Sequence, residues 1–267
     1  MGSIGQPEPF KSRFFGPFGA PGAMGQTCAV VLALLLMFRP LRPPVLWPLA
    51  GFLAVCSLAS MVRSAWLTAA LCLVAFAILA RPGEKFRLIV SMAVLVIAML
   101  VALPLIPQGE KMVDRMSSLG DVQNDGSFRG RVEFSGYALG EILQKPQGYG
   151  LGSTGAATGR LTGGDLEVAA FDNGFLQIPF ALGLPGALLF GLGLFQAGKA
   201  LKRVRPATPV DRLLLRATIA LAIGHFMALA VANFFKSDNA IWLYLVTACA
   251  LAIRPPVPAY QHRLVRP

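Results

Sequence analysis

Four charged side chains stand where they could work together on one reaction: Arg63, Arg129, Arg131 and Asp172. Two of the arginines open the polar stretch 127–173, in SFRGRVEF, and the carboxylate closes it, in FDNGFLQ. A guanidinium stays charged, and its planar fork pairs two phosphate oxygens at once, so arginine suits holding a phosphate at a membrane surface. A carboxylate beside it could take the proton from an attacking hydroxyl as a general base. Each residue also has a plainer job. Arg63, in SLASMVRSAW, could snorkel to an interface. Asp172 could cap the apolar helix that follows it. Arg129 and Arg131 could be solvated loop charges. Their spacing of two does not share a helix face, so only one is expected to point into a site, and Arg131 is preferred.

The elements around these residues are almost entirely apolar. The chain is 55% hydrophobic and only 14% charged, with a mean hydropathy of +0.62. A soluble chain carries roughly 25% charge. So much apolar surface cannot be hidden within 267 residues, which makes the expected class an all-α integral membrane protein. Seven apolar runs are expected to be transmembrane helices: 24–38, 45–62, 65–80, 88–106, 174–197, 213–235 and 240–253. Helices rather than strands are required because backbone groups in lipid must pair within their own segment. The resulting organisation is an outer segment at 1–23, four spans in 24–106, a long outer loop at 107–171, three spans in 172–253 and a basic cytoplasmic tail at 254–267. Within the loop, residues 131–145 carry a helical apolar stripe stopped by Pro146 and read as an interfacial helix.

Charge orients the bundle. Arg39 and Arg42, then Arg81, Lys85 and Arg87, then Lys199, Lys202, Arg203, Arg205 and Arg212, then the tail, fall on alternate connections. The long loop has six cations against eight anions. The positive-inside rule therefore puts the loop outside the cytoplasm and the tail inside. It also puts the first residues outside without a signal sequence, so further helices are expected ahead of this segment. The net charge of +11 does not indicate nucleic acid, because the basic residues punctuate apolar runs instead of gathering on a soluble surface.

Other motifs carry less. GLGSTG, 150–155, matches a dinucleotide-loop spacing but lacks a preceding strand. GLFQAGKA, 193–200, resembles a phosphate loop but has Ala200 where Ser or Thr is needed. The glycines of PQGYGLG are expected to permit a tight turn or close approach to a ligand. Cys28, Cys56, Cys72 and Cys249 lie inside apolar runs without metal or disulfide spacing and read as small buried hydrophobes. His225 sits in mid-run and reads as a neutral hydrogen-bonding residue between helices. No cluster has metal-ligand spacing.

In order along the chain, RFFGPFGAPGAMG, MVRSAW, Arg131, PQGYGLG and DNGFL leading into LGLPGALLF resemble the O-antigen ligase and O-antigen polymerase family of bacterial membrane proteins. The resemblance implies glycosyl transfer on the periplasmic face of the inner membrane. It implies a glycan donor on undecaprenyl diphosphate and an acceptor hydroxyl on a second lipid-linked glycan or on the lipid A core, with no cofactor or metal. Arg63 and Arg131 would hold the diphosphate, and Asp172 would be the base. Arg129, Tyr149, Gly150 and Asn173 would bind substrate. Family members usually have ten or more spans, so this chain resembles the C-terminal portion of one. Asp172 stands where ligases carry His, and Gly136 or its neighbours stand where Trp is usual. Asp can still serve as base, and the departure favours an exopolysaccharide polymerase over a ligase. Two rivals are a polysaccharide or solute transporter and a truncated, inactive fragment of this family.

Overall fold

The computed structural model describes residues 16–18, 20–102, 109, 126–153, 173–230 and 238–253, with backbone alone at 102, 126–133, 152 and 238–239. Every regular element among the described residues is helical. In order these are α1 (Pro21–Phe38), α2 (Pro43–Ala59), α3 (Arg63–Leu79), α4 (Pro82–Ala102), α5 (Gly126–Gln144), a 3-10 turn (Leu151–Ser153), α6 (Gly174–Arg203), α7 (Pro209–Ala228) and α8 (Asp238–Leu251). Each of the seven apolar runs holds a helix. Proline opens α1, α2 and α7, where its missing N–H would be unpaired in any case. Arg39 ends α1 by turning left-handed at φ 47, its N–H still bonded to Leu35 O. At the start of α7, Thr208 and Asp211 form a reciprocal capping box. The Thr208 backbone and hydroxyl hold the Asp211 carboxyl below the usual carboxylate range.

The core is a seam between α3 and α7, with α1 and α8 packed on it. Phe76, Leu73 and Cys72 of α3 meet Ala217, Ala220 and Leu221 of α7, and Val30, Ala33 and Val246 close the cluster. The two helices are antiparallel. Leu71 packs on Ala228 and Leu229, whereas Glu84, just past the end of α3, pairs with Arg216 near the start of α7. Approach is close because Gly224 has no side chain. A Cβ there would lie 2.4 Å from Cys72 Sγ and 2.7 Å from its backbone nitrogen. Small residues allow the backbone-level packing that holds helices together where lipid removes the hydrophobic drive.

The outside of the bundle is apolar as well. α4 exposes Ile89, Val94, Ile97, Leu100 and Val101 along its length. A helix with such a face belongs against lipid. By length and composition α1 and α6 can each cross a membrane, while α2, α3 and residues Ala240–Leu251 are apolar but shorter.

Some boundaries differ from the sequence expectation. The surface helix begins at Gly126 rather than at 131, and α7 spans Pro209–Ala228 where 213–235 is expected. Cys28 and Cys72 are buried, but Cys56 is only half-buried and Cys249 is exposed, on a helix face turned away from the core. Most of the long loop, the first 15 residues and the tail at 254–267 lie outside the described residues.

Replacing Gly224 by Ala should overpack the α3–α7 seam and cost about 1–3 kcal/mol. Thermal unfolding in detergent should show a lower midpoint for that variant. Gly51→Ala, where nothing lies within 4 Å of the added carbon, should leave the midpoint unchanged or raised.

Candidate functional site

Three of the candidate residues, Arg63, Tyr149 and Gly150, fall on two local structures, the turn before α3 and a break in α6. The first is the tight turn between α2 and α3, which carries Arg63. Met61 adopts φ 53 within it, and Arg63 is the first residue of α3. The turn is pinned by hydroxyl and indole donors. Ser60 Oγ donates to Ser57 O at 2.6 Å and accepts from Val62 N at 3.3 Å. Trp66 Nε1 donates to Ser57 O at 3.0 Å. Ser57 Oγ donates across to Gly25 O on α1 at 3.3 Å. Gly25 must be glycine for this fit, since a Cβ would lie 2.3 Å from Ser60 Oγ. Three helices thus fix the backbone from which the half-buried Arg63 projects.

The second structure is a break in α6 filled by the loop after α5. Gly183 has φ 72 and ψ 173 in the middle of α6, and Pro185 follows. In an unbroken helix Leu184 N–H would bond Phe180 O, and residue 185 would bond Ala181 O. Gly183 turns the first donor away, and proline lacks the second. The loop at 146–150 replaces both bonds. Tyr149 N donates to Phe180 O and Gly150 N to Ala181 O, each at 2.9 Å, while Leu184 N donates to Pro146 O at 2.8 Å. The two chains touch at backbone level. A Cβ on Gly148, itself at φ +82, would lie 2.3 Å from Gly183 N, and one on Gly183 would lie 2.5 Å from Gln147 O.

Side chains lock the loop to α5. Tyr149 hydroxyl donates to Glu141, its ring stacks on Phe180 at 4.6 Å, and Lys145 Nζ lies 4.3 Å from the ring centre. The bond to Glu141 is the main reason the Tyr149 phenol is pushed up to about 12. Tyr137, one helical turn before Glu141, is raised by partial desolvation and by the same carboxylate. Ala138 and Ile142 of α5 bury against Phe180, leaving Tyr137, Leu139 and Leu143 exposed. That division suits a helix lying on an interface.

The expected site residues are distributed as follows. Arg63 lies on the pinned turn. Tyr149 and Gly150 form the rungs that repair α6, and Gly150 has φ +92 with open space beside it. Asn173 caps α6, its Oδ1 accepting from Phe175 N at 3.0 Å and Leu176 N at 3.3 Å. The cap expected of Asp172 is therefore held by its neighbour, and Asp172 lies outside the described residues. Arg129 and Arg131 both fall on α5, but their side chains lie outside the described set. The start of α6 is joined to the end of α7 by Gly174 N donating to Leu229 O at 2.8 Å and by an edge-on Phe175–Phe226 contact.

Sequence reasoning missed Glu141 and Lys145. The spacing of four between Tyr137 and Glu141 marks a shared helix face, but nothing local announces that Tyr149 returns to the same carboxylate. His225 is buried, and its Nδ1 donates to Leu221 O at 2.8 Å on its own helix and lies 3.8 Å from Cys72 Sγ on the neighbouring α3. It lines an apolar cavity of about 530 Å³ between α6, α7 and α8. Among the described residues no three His, Cys, Asp or Glu side chains gather to hold a metal ion.

The O-antigen ligase family model matches residues 48–191, just over half of the chain. That segment runs from α2 into α6 and contains both local structures. No curated protein and no solved structure matches the chain.

Two outcomes are expected from the α5–α6 lock. Gly148→Ala should cost about 1–3 kcal/mol through its positive φ, with backbone overlap in addition, and should speed proteolysis between α5 and α6. The Tyr149 phenol, raised from 10.0 to about 12, contributes stability that is complete below pH 10 and lost as pH rises towards 12. Glu141→Gln should move phenolate absorbance to lower pH, and an unchanged titration curve would remove Glu141 as the cause.

Proposed function

Because the chain belongs to the O-antigen ligase family, we propose that it transfers a glycan from undecaprenyl diphosphate to an acceptor hydroxyl at the periplasmic face of the bacterial inner membrane. The acceptor is a second lipid-linked glycan, which gives polymerisation, or the lipid A core, which gives ligation. The family match over 48–191 carries this reading, since the matched segment of the sequence includes Arg63, Arg131 and Asp172.

In the proposed reaction the acceptor oxygen attacks the anomeric carbon, and the bond from that carbon to the diphosphate oxygen breaks. Asp172 takes the hydroxyl proton, a task a carboxylate performs while bond-making proceeds. The electron pair leaves on undecaprenyl diphosphate, whose charge Arg63 and Arg131 hold and stabilise. Arg129, Tyr149, Gly150 and Asn173 line the approach of the sugars. The reaction needs neither nucleotide sugar nor metal. Seven transmembrane helices carry the site, with the 107–171 loop outside and the 254–267 tail inside. Support comes from the helix found in each apolar run, from the alternation of basic connections, and from the shared end of the bundle at which α3 begins and α6 is capped.

A transporter would also use a broken helix, because freed backbone groups at a break can hold an ion or solute. In α6 those groups are already bonded to the 146–150 loop, which favours glycan transfer.

Asp172→Asn and Arg131→Ala should each abolish polymer or ligated product while the protein still inserts, with losses of about 10²–10⁴-fold for a base and about 10²–10³-fold for a charge-stabilising donor. Gel analysis of surface polysaccharide reads the result, and full product from either variant would refute that residue's role. In a deletion strain, loss of long chains indicates polymerisation, and polymer left on its lipid carrier indicates ligation.

A further inference from the structure

We propose that the basic end of the bundle, where the end of α1 meets the starts of α4 and α7, binds the headgroup of an anionic phospholipid. The inference rests on the membrane location of the chain and is independent of the glycan reaction. Seven cations gather there: Arg39, Arg42, Arg81, Lys85, Arg87, Arg212 and Arg216. The acids beside them, Glu84 and Asp211, are already engaged. Glu84 takes both terminal nitrogens of Arg216, at 2.5 and 2.9 Å, and the Arg81 backbone N–H at 3.0 Å. Asp211 accepts from Thr208 N at 2.9 Å within the capping box. Five positive charges remain without a counter-charge among the described residues.

The corner is also ordered. Arg39 reaches from the end of α1 to donate to Arg87 O at 2.9 Å, and Arg87 Nε donates to Gly83 O at 3.1 Å. Two guanidinium groups are thereby tied to the first two turns of α4, where the backbone adds the positive end of the helix dipole. Arg42 and Lys85 are exposed, and their side chains make no hydrogen bond or ion pair among the described residues.

Exposed apolar side chains decide the class of partner. Leu41, Val45, Phe86 and Val210 stand among these cations, 38%, 55%, 69% and 67% exposed. A soluble polyanion would satisfy the charge and leave those side chains in water. A phospholipid satisfies both, with phosphate on the arginine forks and acyl chains on the apolar residues.

The test uses the full chain purified in detergent and offered equal amounts of phosphatidylglycerol and phosphatidylcholine, with retained lipid read by native mass spectrometry. Phosphatidylglycerol should be retained preferentially. The Arg42→Gln/Lys85→Gln variant should retain it roughly tenfold less, since each basic residue near a lipid surface contributes. Raising the salt concentration should weaken retention. The variant's unfolding midpoint in phosphatidylcholine nanodiscs and its glycan product should match wild type, which separates this site from the reaction. Equal retention of the two lipids, undiminished phosphatidylglycerol on the variant, or loss of the preference when inorganic phosphate is added at constant ionic strength would each overturn the proposal.

Discussion

Backbone hydrogen bonding across the break in α6 is the constraint on which the candidate site depends. A broken helix frees carbonyls and N–H groups, and wherever water is excluded each one left unpaired costs several kcal/mol. Here Pro146, Tyr149 and Gly150 satisfy them. The loop is therefore part of α6, and withdrawing it would strip rungs from a membrane helix. Because Glu141 and Phe180 hold Tyr149, and Ile142 buries on Phe180, the end of α5 is carried with the loop. The helix bearing Arg129 and Arg131 is thus anchored at its far end to the segment that Asn173 caps.

The other half of the site relies on the same use of small residues in a different place. Gly25 admits Ser60 as Gly224 admits Cys72, and both let helices approach at backbone distance. The first contact fixes the turn before Arg63, and the second fixes α3 against α7. The end of α7 then receives the start of α6 through Leu229 and Phe226. Through α7 the two local structures become one scaffold, which suits the reaction proposed above, in which groups must be held at a defined separation. At the opposite end, Glu84 and Arg216 tie α4 to α7 amid uncompensated positive charge. The polar and basic ends of the bundle are thereby built differently: one by hydrogen bonds among serines, tryptophan and backbone, the other by cations with few acids.

Several features needed only the order of residues. Each of the seven apolar runs holds a helix among its described residues because hydrophobic run length and proline position are local properties. Segregation of charge between alternate connections is likewise a count along the chain, and the motifs from MVRSAW to LGLPGALLF were enough to indicate the family that matches 48–191. Tertiary structure decided the partnerships. PQGYG reads locally as a tight glycine turn, and only the fold shows its amides at Tyr149 and Gly150 completing the helix that begins at Gly174. Asp172 and Asn173 are equally good caps by composition, and backbone geometry gave the position to Asn173. Glu141 looks like one more surface charge until Tyr149 returns to it. The physical reason is common to all three. Helix formation and charge bias follow from neighbours in sequence, whereas a broken rung is repaired by whichever distant segment the fold brings within hydrogen-bonding reach.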